Sequence, residues 1–293
     1  MLSELNTKRA ILQPICLPQN YKVNLFLLRL DLIDEEISGN KWFKLKYNLQ
    51  EVIKAQKTKL ITFGGAFSNH IAATAKACSM AGIKSIGIIR GENVENHTLQ
   101  LAAKYGMELK FVSRNLYSNK DELMQWLSSE YNLSHYYIIP EGGGNQLGIE
   151  GCKEIVPLID IPFDFVAMAC GTGTTLSGVV QSIHKSQVAL GFAALKGGAF
   201  LVDDVNNSIA KQTEGTFAII DKYHFGGYAK HNIELINFIK KFELEQNTKL
   251  DFVYTAKMMY GIYDLIQHNY FPENATIVAI HSGGLQGNIG IGI

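Results

Sequence analysis

The 293-residue sequence predicts an α/β fold of open, mostly parallel twisted sheets flanked by helices. Three observations predict it. Short runs rich in Val, Ile and Phe alternate with longer segments whose apolar residues recur at helical spacing, as βα units require. Glycine-rich turns fall where four of those runs end, at Gly64-Gly65, Gly142-Gly143-Gly144, Gly171-Thr172-Gly173 and Gly283-Gly284. No internal repeat or low-complexity stretch interrupts the alternation.

In chain order, the first strand is expected at 23–30, an apolar run ahead of a helical segment around Trp42, Phe43 and Leu45. A strand at 59–63 ends in the double glycine, and Ser68-Asn69 supplies N-cap residues for a helix over 69–80. Strands at 85–89, 109–112 and 136–139 are separated by helices at 98–105 and 120–129. Strands at 165–169 and 188–193 flank a helix at 175–184, helices follow at 233–242 and 256–268, and a last strand lies at 276–281. In open α/β sheets ligands bind at the carboxyl ends of the strands, so the four glycine turns converge on one cleft. No linker rich in Pro, Ser or charge marks a boundary. The expected division is a larger unit of 1–48 plus 153–293 and a smaller α/β lobe of 49–152 inserted into it.

Composition narrows the function. Hydrophobic residues make up 47% and charged residues 18%, which describes an ordinary globular chain rather than a disordered one. A formal charge of zero offers no footprint for nucleic acid or an anionic membrane, so a small-molecule partner is expected. No apolar run approaches the roughly 18 residues of a membrane span, and residues 1–10 lack a basic segment followed by an apolar stretch, so a cytoplasmic protein is expected. Cys16, Cys78, Cys152 and Cys170 are far apart and read as buried reduced thiols; without a CxxC, HxxH or HExxH spacing, no metal site is expected. No Gly-x-Ser-x-Gly elbow supports a serine hydrolase.

Several segments carry possible chemistry. Cys170-Gly171-Thr172-Gly173-Thr174-Thr175, between a strand and a helix, lets backbone amides and hydroxyls approach an anion and reads as a cup for a phosphate monoester. It lacks the Gly-Lys of a Walker A loop and the third glycine of a dinucleotide turn, and alone it is also what an ordinary loop looks like. Lys41, after Ser38-Gly39-Asn40, stands at a helix start, where its charge opposes the helix dipole. A lysine that must act as a free amine gains there, although a solvated helix-end lysine is the plain alternative. Gly64-Gly65-Ala66-Phe67-Ser68-Asn69-His70 is either a capped helix start or a clamp for a substrate carboxylate. Tyr254-Thr255, Phe225-Gly226-Gly227-Tyr228 and His281-Ser282-Gly283-Gly284 are equally open between structure and function, and His70 and His281 read as structural histidines.

Taken together and in order, these motifs resemble the fold-type II pyridoxal-phosphate (PLP) enzymes, the tryptophan synthase β-like group. Within it they are most similar to the branch of 1-aminocyclopropane-1-carboxylate (ACC) deaminase and D-cysteine desulfhydrase. The likeness rests on Ser38-Gly-Asn-Lys41-Trp-Phe-Lys44-Leu, Gly64-Gly-Ala-Phe-Ser68-Asn69-His70, Cys170-Gly-Thr-Gly-Thr-Thr175, Val253-Tyr254-Thr255-Ala-Lys257 and His281-Ser282-Gly-Gly. It implies two open sheets with PLP in the cleft between lobes, a homodimer, and a small amino-acid substrate. It makes Lys41 the Schiff-base lysine and Cα–H base, and Gly171, Thr172, Gly173, Thr174 and Thr175 the phosphate loop. Asn69 would bond the cofactor's phenolic oxygen, and Ser68 would hold the substrate carboxylate or assist proton transfer. Tyr228 and Tyr254 would face the substrate side chain, with Thr255 and Ser282 beside the pyridine nitrogen.

ACC deaminases typically carry Glu where Thr255 stands and Leu where Ser282 stands, whereas D-cysteine desulfhydrases carry small hydroxyl residues at both. A carboxylate keeps the pyridinium protonated and deepens the electron sink, which opening a cyclopropane demands; losing a thiolate from Cβ does not. The resemblance therefore implies α,β-elimination to pyruvate, ammonia and sulfide. The rival readings are ACC deamination to 2-oxobutyrate, another amino-acid deamination in the same fold, and a catalytically idle PLP-binding regulatory protein.

Overall fold

The computed structural model describes residues 5–285, 287 and 288. Among them, ten strands form two sheets. The strands are β1 Leu12–Pro14, β2 Asn24–Arg29, β3 Lys59–Gly65, β4 Lys84–Arg90, β5 Glu108–Val112, β6 Tyr136–Ile139, β7 Phe165–Cys170, β8 Val188–Ala193, β9 Thr216–Ile220 and β10 Thr276–His281. The larger sheet runs β1-β2-β10-β7-β8-β9 and the smaller β5-β4-β3-β6. Every pairing is parallel except that of β1 with β2.

The described α-helices are α1 Asn40–Lys54, α2 Asn69–Ala81, α3 His97–Lys104, α4 Arg114–Ser118, α5 Lys120–Glu130, α6 Gln146–Cys152, α7 Thr174–Val180, α8 Phe200–Ser208, α9 Ile233–Gln246 and α10 Thr255–Gln267. They cover both faces of each sheet, which is why the central strands are apolar throughout rather than alternating. In β10, Ile277 and Ala279 pack with α9 and α10, while Val278 and Ile280 pack with α7 and α8; all four are fully buried. The smaller sheet buries Leu60 and Ile139 against Trp42, Leu45, Leu49 and Val52 of α1 and Ala73 and Ala77 of α2.

The expected α/β fold of two mostly parallel sheets is the observed one, and the eight expected strands are all present. Five elements were not anticipated: β1, β9, α4, α6 and α8. The strands β1 and β9 are edge strands, with three and five residues, whose pairing the larger sheet supplies. Gly148 and Gly151 disguise α6 as a turn. They serve close packing instead, because a Cβ at Gly151 would collide with the Phe43 carbonyl of α1, and one at Gly178 of α7 would lie 2.5 Å from the Cys152 Cβ. The helix expected over 175–184 stops at Val180, where Ser182 N–H turns back to the Val179 carbonyl at 2.9 Å.

Candidate active site

A cavity of about 370 Å³ opens between the two sheets at the carboxyl ends of β3, β4 and β7. Lys41 and Asn40 line it from the start of α1, and Ser68 and Asn69 from the start of α2. Gly171, Thr172, Gly173 and Thr175 line it from the loop after β7, and Tyr228, Tyr254 and Ser282 from three further loops. The parallel strands bring these segments together, since each loop leaves its sheet on the same edge.

Lys41 lies in the first turn of α1, and its ammonium donates to Asn40 Oδ1 at 2.7 Å. Asn40 Nδ2 in turn donates to Thr175 Oγ1 at 2.8 Å, so the lysine and the loop after β7 belong to one hydrogen-bonded chain. Burial pushes the Lys41 ammonium down to about 7, and the neighbouring Lys44 charge pushes the same way. A lysine that is partly a free amine near neutral pH has the nucleophilicity that imine chemistry needs. Lys44, one helical turn on, lines the same cavity, and burial lowers its value also. Lys44 was not among the expected site residues, although its i, i+3 spacing from Lys41 places both on one helix face.

The loop after β7 is a cradle. Gly173 has φ +69°, and a Cβ there would press Val205 Cγ2 at 3.1 Å. The hydroxyls of Thr172 and Thr174 pair at 2.9 Å, so Thr174, which does not line the cavity, supports the residue that does. Asn69 is hemmed in by Gly284, where a side chain would collide with Asn69 Nδ2. Ser68 occupies the N-cap position of α2 without capping it, which leaves its hydroxyl free for another partner. The reading of Ser68 as a cap and nothing more therefore does not hold.

Tyr228 and Tyr254 meet edge to face, with ring centroids 6.0 Å apart, and burial raises the phenol of each. Thr255 does not line the cavity. It is fully buried, and its Oγ1 has no hydrogen-bond partner among the described residues. Asp251, a buried carboxylate beside it, accepts from the amides of Val253, Tyr254 and Thr255 at 3.1, 2.7 and 2.8 Å, which commits its oxygens to holding the start of α10. Also in the lining and unanticipated are Arg90 at the end of β4 and Glu141 just after β6; their positions at strand ends were the available signal.

The two histidines differ. His281 is satisfied: Nε2 contacts the Lys249 carbonyl at 2.7 Å, and Nδ1 accepts from Gly283 N–H at 3.2 Å. His70 lines the cavity, and only Nε2 is engaged, 2.8 Å from Thr62 Oγ1. Because Thr62 already donates to the Ile139 carbonyl, His70 must donate from Nε2, leaving Nδ1 as an unpartnered acceptor. Burial, then the charges of Lys41 and Lys44, lower His70 from its ordinary value near 6.5 to about 3. The unfolded chain therefore binds a proton between those values that the folded protein refuses. Stability is complete above about pH 6.5 and falls as pH drops toward 3, by up to roughly 1 kcal/mol per pH unit. Urea midpoints measured across that range are expected to fall less steeply for His70→Gln.

Of the four free cysteines, Cys78, Cys152 and Cys170 are buried as expected; Cys16 is exposed, contrary to expectation, because it lies in the loop after the short edge strand β1.

The cavity suits a phosphorylated pyridine aldehyde. Its glycine and threonine cradle and the buried Lys44 ammonium answer a phosphate, the Lys41 amine answers an aldehyde, and the Ser282 hydroxyl can donate to a ring nitrogen. The comparisons with known proteins point the same way. Residues 10–283 match the family described as "Pyridoxal-phosphate dependent enzyme". The chain is 31% identical over 291 residues to a protein of Thermotoga maritima named putative 1-aminocyclopropane-1-carboxylate deaminase, with 92% of each covered. It is 29% identical over 301 residues to a mitochondrial protein of Arabidopsis thaliana named bifunctional D-cysteine desulfhydrase/1-aminocyclopropane-1-carboxylate deaminase, covering 90% of this chain and 73% of that one. A crystal structure described as an ACC deaminase homologue matches it with a TM-score of 0.85 at 25% identity, covering 99% of this chain and 94% of that one.

Proposed function

The chain belongs to the pyridoxal-phosphate-dependent enzymes, as a lyase or deaminase, and from that premise we propose that it carries out α,β-elimination on D-cysteine. The products are pyruvate, ammonia and sulfide. The observation that carries this reading is the neutral Ser282 hydroxyl in the lining, together with Thr255, a neutral side chain buried outside it, and the engagement of Asp251 by three backbone amides. Neither position carries a carboxylate to hold a proton on a ring nitrogen, and a leaving thiolate needs no deeper sink.

In this reading the loop Gly171, Thr172, Gly173, Thr174 and Thr175, with Lys44, holds the cofactor phosphate, and Asn69 holds the phenolic oxygen. When bound, the cofactor supplies an electron sink for the pair released as the substrate Cα–H bond breaks. Lys41 takes the Cα proton, which the depressed affinity of its buried amine permits at neutral pH. The uncapped Ser68 hydroxyl and the first amides of α2 bind the substrate carboxylate. Tyr228 and Tyr254 close the side of the cavity that the substrate side chain enters, and being held as neutral phenols they can donate to a departing sulfur. The free Ser68 hydroxyl and this tyrosine pair speak for turnover rather than idle cofactor binding.

We assign residues 1–48 and 153–293 to a larger unit and 49–152 to a smaller one, a division supported by the smaller sheet's strands all falling within 59–139. No helix among the described residues is long and apolar enough to cross a membrane. We further infer a homodimer acting in the cytoplasm on a small amino acid; the four free cysteines suit a reducing compartment.

The names of the Thermotoga and Arabidopsis relatives favour a second reading, ACC deamination. Incubation of the purified protein with D-cysteine, L-cysteine, D-serine and ACC separates the two. Sulfide and pyruvate from D-cysteine are expected; 2-oxobutyrate from ACC as the sole product would overturn the proposal.

A further inference from the structure

Lys257 lies in the first turn of α10, three residues after Tyr254, and is 2% exposed. A buried ammonium needs a reason, and here its partners are two backbone carbonyls, those of His224 at 2.9 Å and Gly227 at 2.7 Å. These carbonyls belong to the loop that delivers Tyr228. That loop is conformationally costly at its two non-glycine left-handed residues, Phe225 and Ala229, with φ of 52° and 53° on either side of Gly226 and Gly227. Its internal bonds are few, from Gly227 N–H to the His224 carbonyl at 3.0 Å, from Lys230 N–H to the Gly227 carbonyl at 3.1 Å, and from Gly226 N–H to His224 Nδ1 at 3.0 Å. Without an external tether, such a run would relax toward the broad region of negative φ.

We propose that Lys257 is a positioning residue: its ammonium ties the 224–228 loop to α10 and thereby sets Tyr228 against Tyr254 across the substrate side of the cavity. One helix then carries both ends of the tyrosine pair, Tyr254 at its N-cap position and the anchor for Tyr228 one turn in. An ammonium suits the task because its three N–H donors serve two carbonyls at once and its charge strengthens both bonds. The significance of this placement for turnover rests on the reading above, in which the two tyrosines face the substrate.

The test compares the cofactor-loaded wild type with Lys257→Met, which keeps an unbranched chain one atom shorter and removes the charge, and Lys257→Arg, which restores donors. Amide hydrogen exchange over residues 222–232 is expected to speed up ~10-fold or more in Lys257→Met, with the remaining peptides unchanged and Lys257→Arg close to wild type. With D-cysteine as substrate, Lys257→Met is expected to lower kcat about 10- to 100-fold, as small misplacements of active-site groups do. In a Tyr228→Phe background the same substitution is expected to cost less than about threefold, because the tether's benefit passes through Tyr228. Unchanged exchange in the loop would overturn the proposal, as would equal kinetic losses in the two backgrounds. Should the wild type release no sulfide from D-cysteine, the substrate reading fails, while the exchange comparison still decides whether Lys257 holds the loop.

Discussion

Lys41→Ala is expected to lose turnover by at least ~10³-fold, the scale of removing a positioned acid–base or nucleophilic group. Three features of the residue make the effect large. Its amine is tied to Asn40 Oδ1 at 2.7 Å, it lies in the cavity's lining, and burial of that amine together with the Lys44 charge holds it down to about 7. Water has no comparable base to offer at that point. The same variant should lose the long-wavelength absorbance of a lysine-bound pyridoxal phosphate and the covalent label left by borohydride. Lys44→Ala serves as the control among buried lysines: it should keep the absorbance while retaining the cofactor less tightly on dialysis, since its ammonium contributes charge rather than a bond. An absorbance that survives in Lys41→Ala and vanishes in Lys44→Ala would reverse the two roles.

Gly39→Ala is expected to destabilise the protein by about 2–4 kcal/mol, combining a left-handed backbone with a steric collision. Gly39 has φ 65° and ψ −136°, a region that side chains strongly disfavour. A Cβ there would run into the Ser282 carbonyl oxygen, and backbone cannot step aside as a flexible side chain can. For a chain of 293 residues the melting temperature should fall on the order of 3–6 °C, readable by calorimetry. Because the collision lies between Lys41 and Ser282, surviving folded protein should also bind cofactor more weakly. A variant as stable as wild type would show that this junction yields more readily than its packing implies.

Much of the architecture was legible from local pattern. The strands from β2 to β8, and β10, were visible because central parallel strands are continuous apolar runs bounded by glycine or polar residues, as Ile277 to Ile280 illustrate. The edge strands β1 and β9 were not, since an edge strand is stabilised by a neighbour remote in sequence. The helix α6 was hidden for a related reason: Gly148 and Gly151 weaken a helix locally, and Gly151 becomes favourable only when α1 closes on it.

For the site, the residue types announced the chemistry, and the tertiary structure decided the assembly. Lys41, Ser68, the Gly171 to Thr175 loop and Ser282 could be picked out because glycine, threonine and lysine at element ends are needed where backbone approaches a ligand. Sequence alone could not reveal that Asn40 bridges Lys41 to Thr175, that Asp251 is consumed by three amides, or that Lys257 grips the loop of Tyr228. Each of these depends on contacts across 30 to 135 positions or on the direction of a buried side chain. Local propensity carries information about the backbone of a single segment. Which polar groups share a cavity, and which are already satisfied before a ligand arrives, is set by packing between segments.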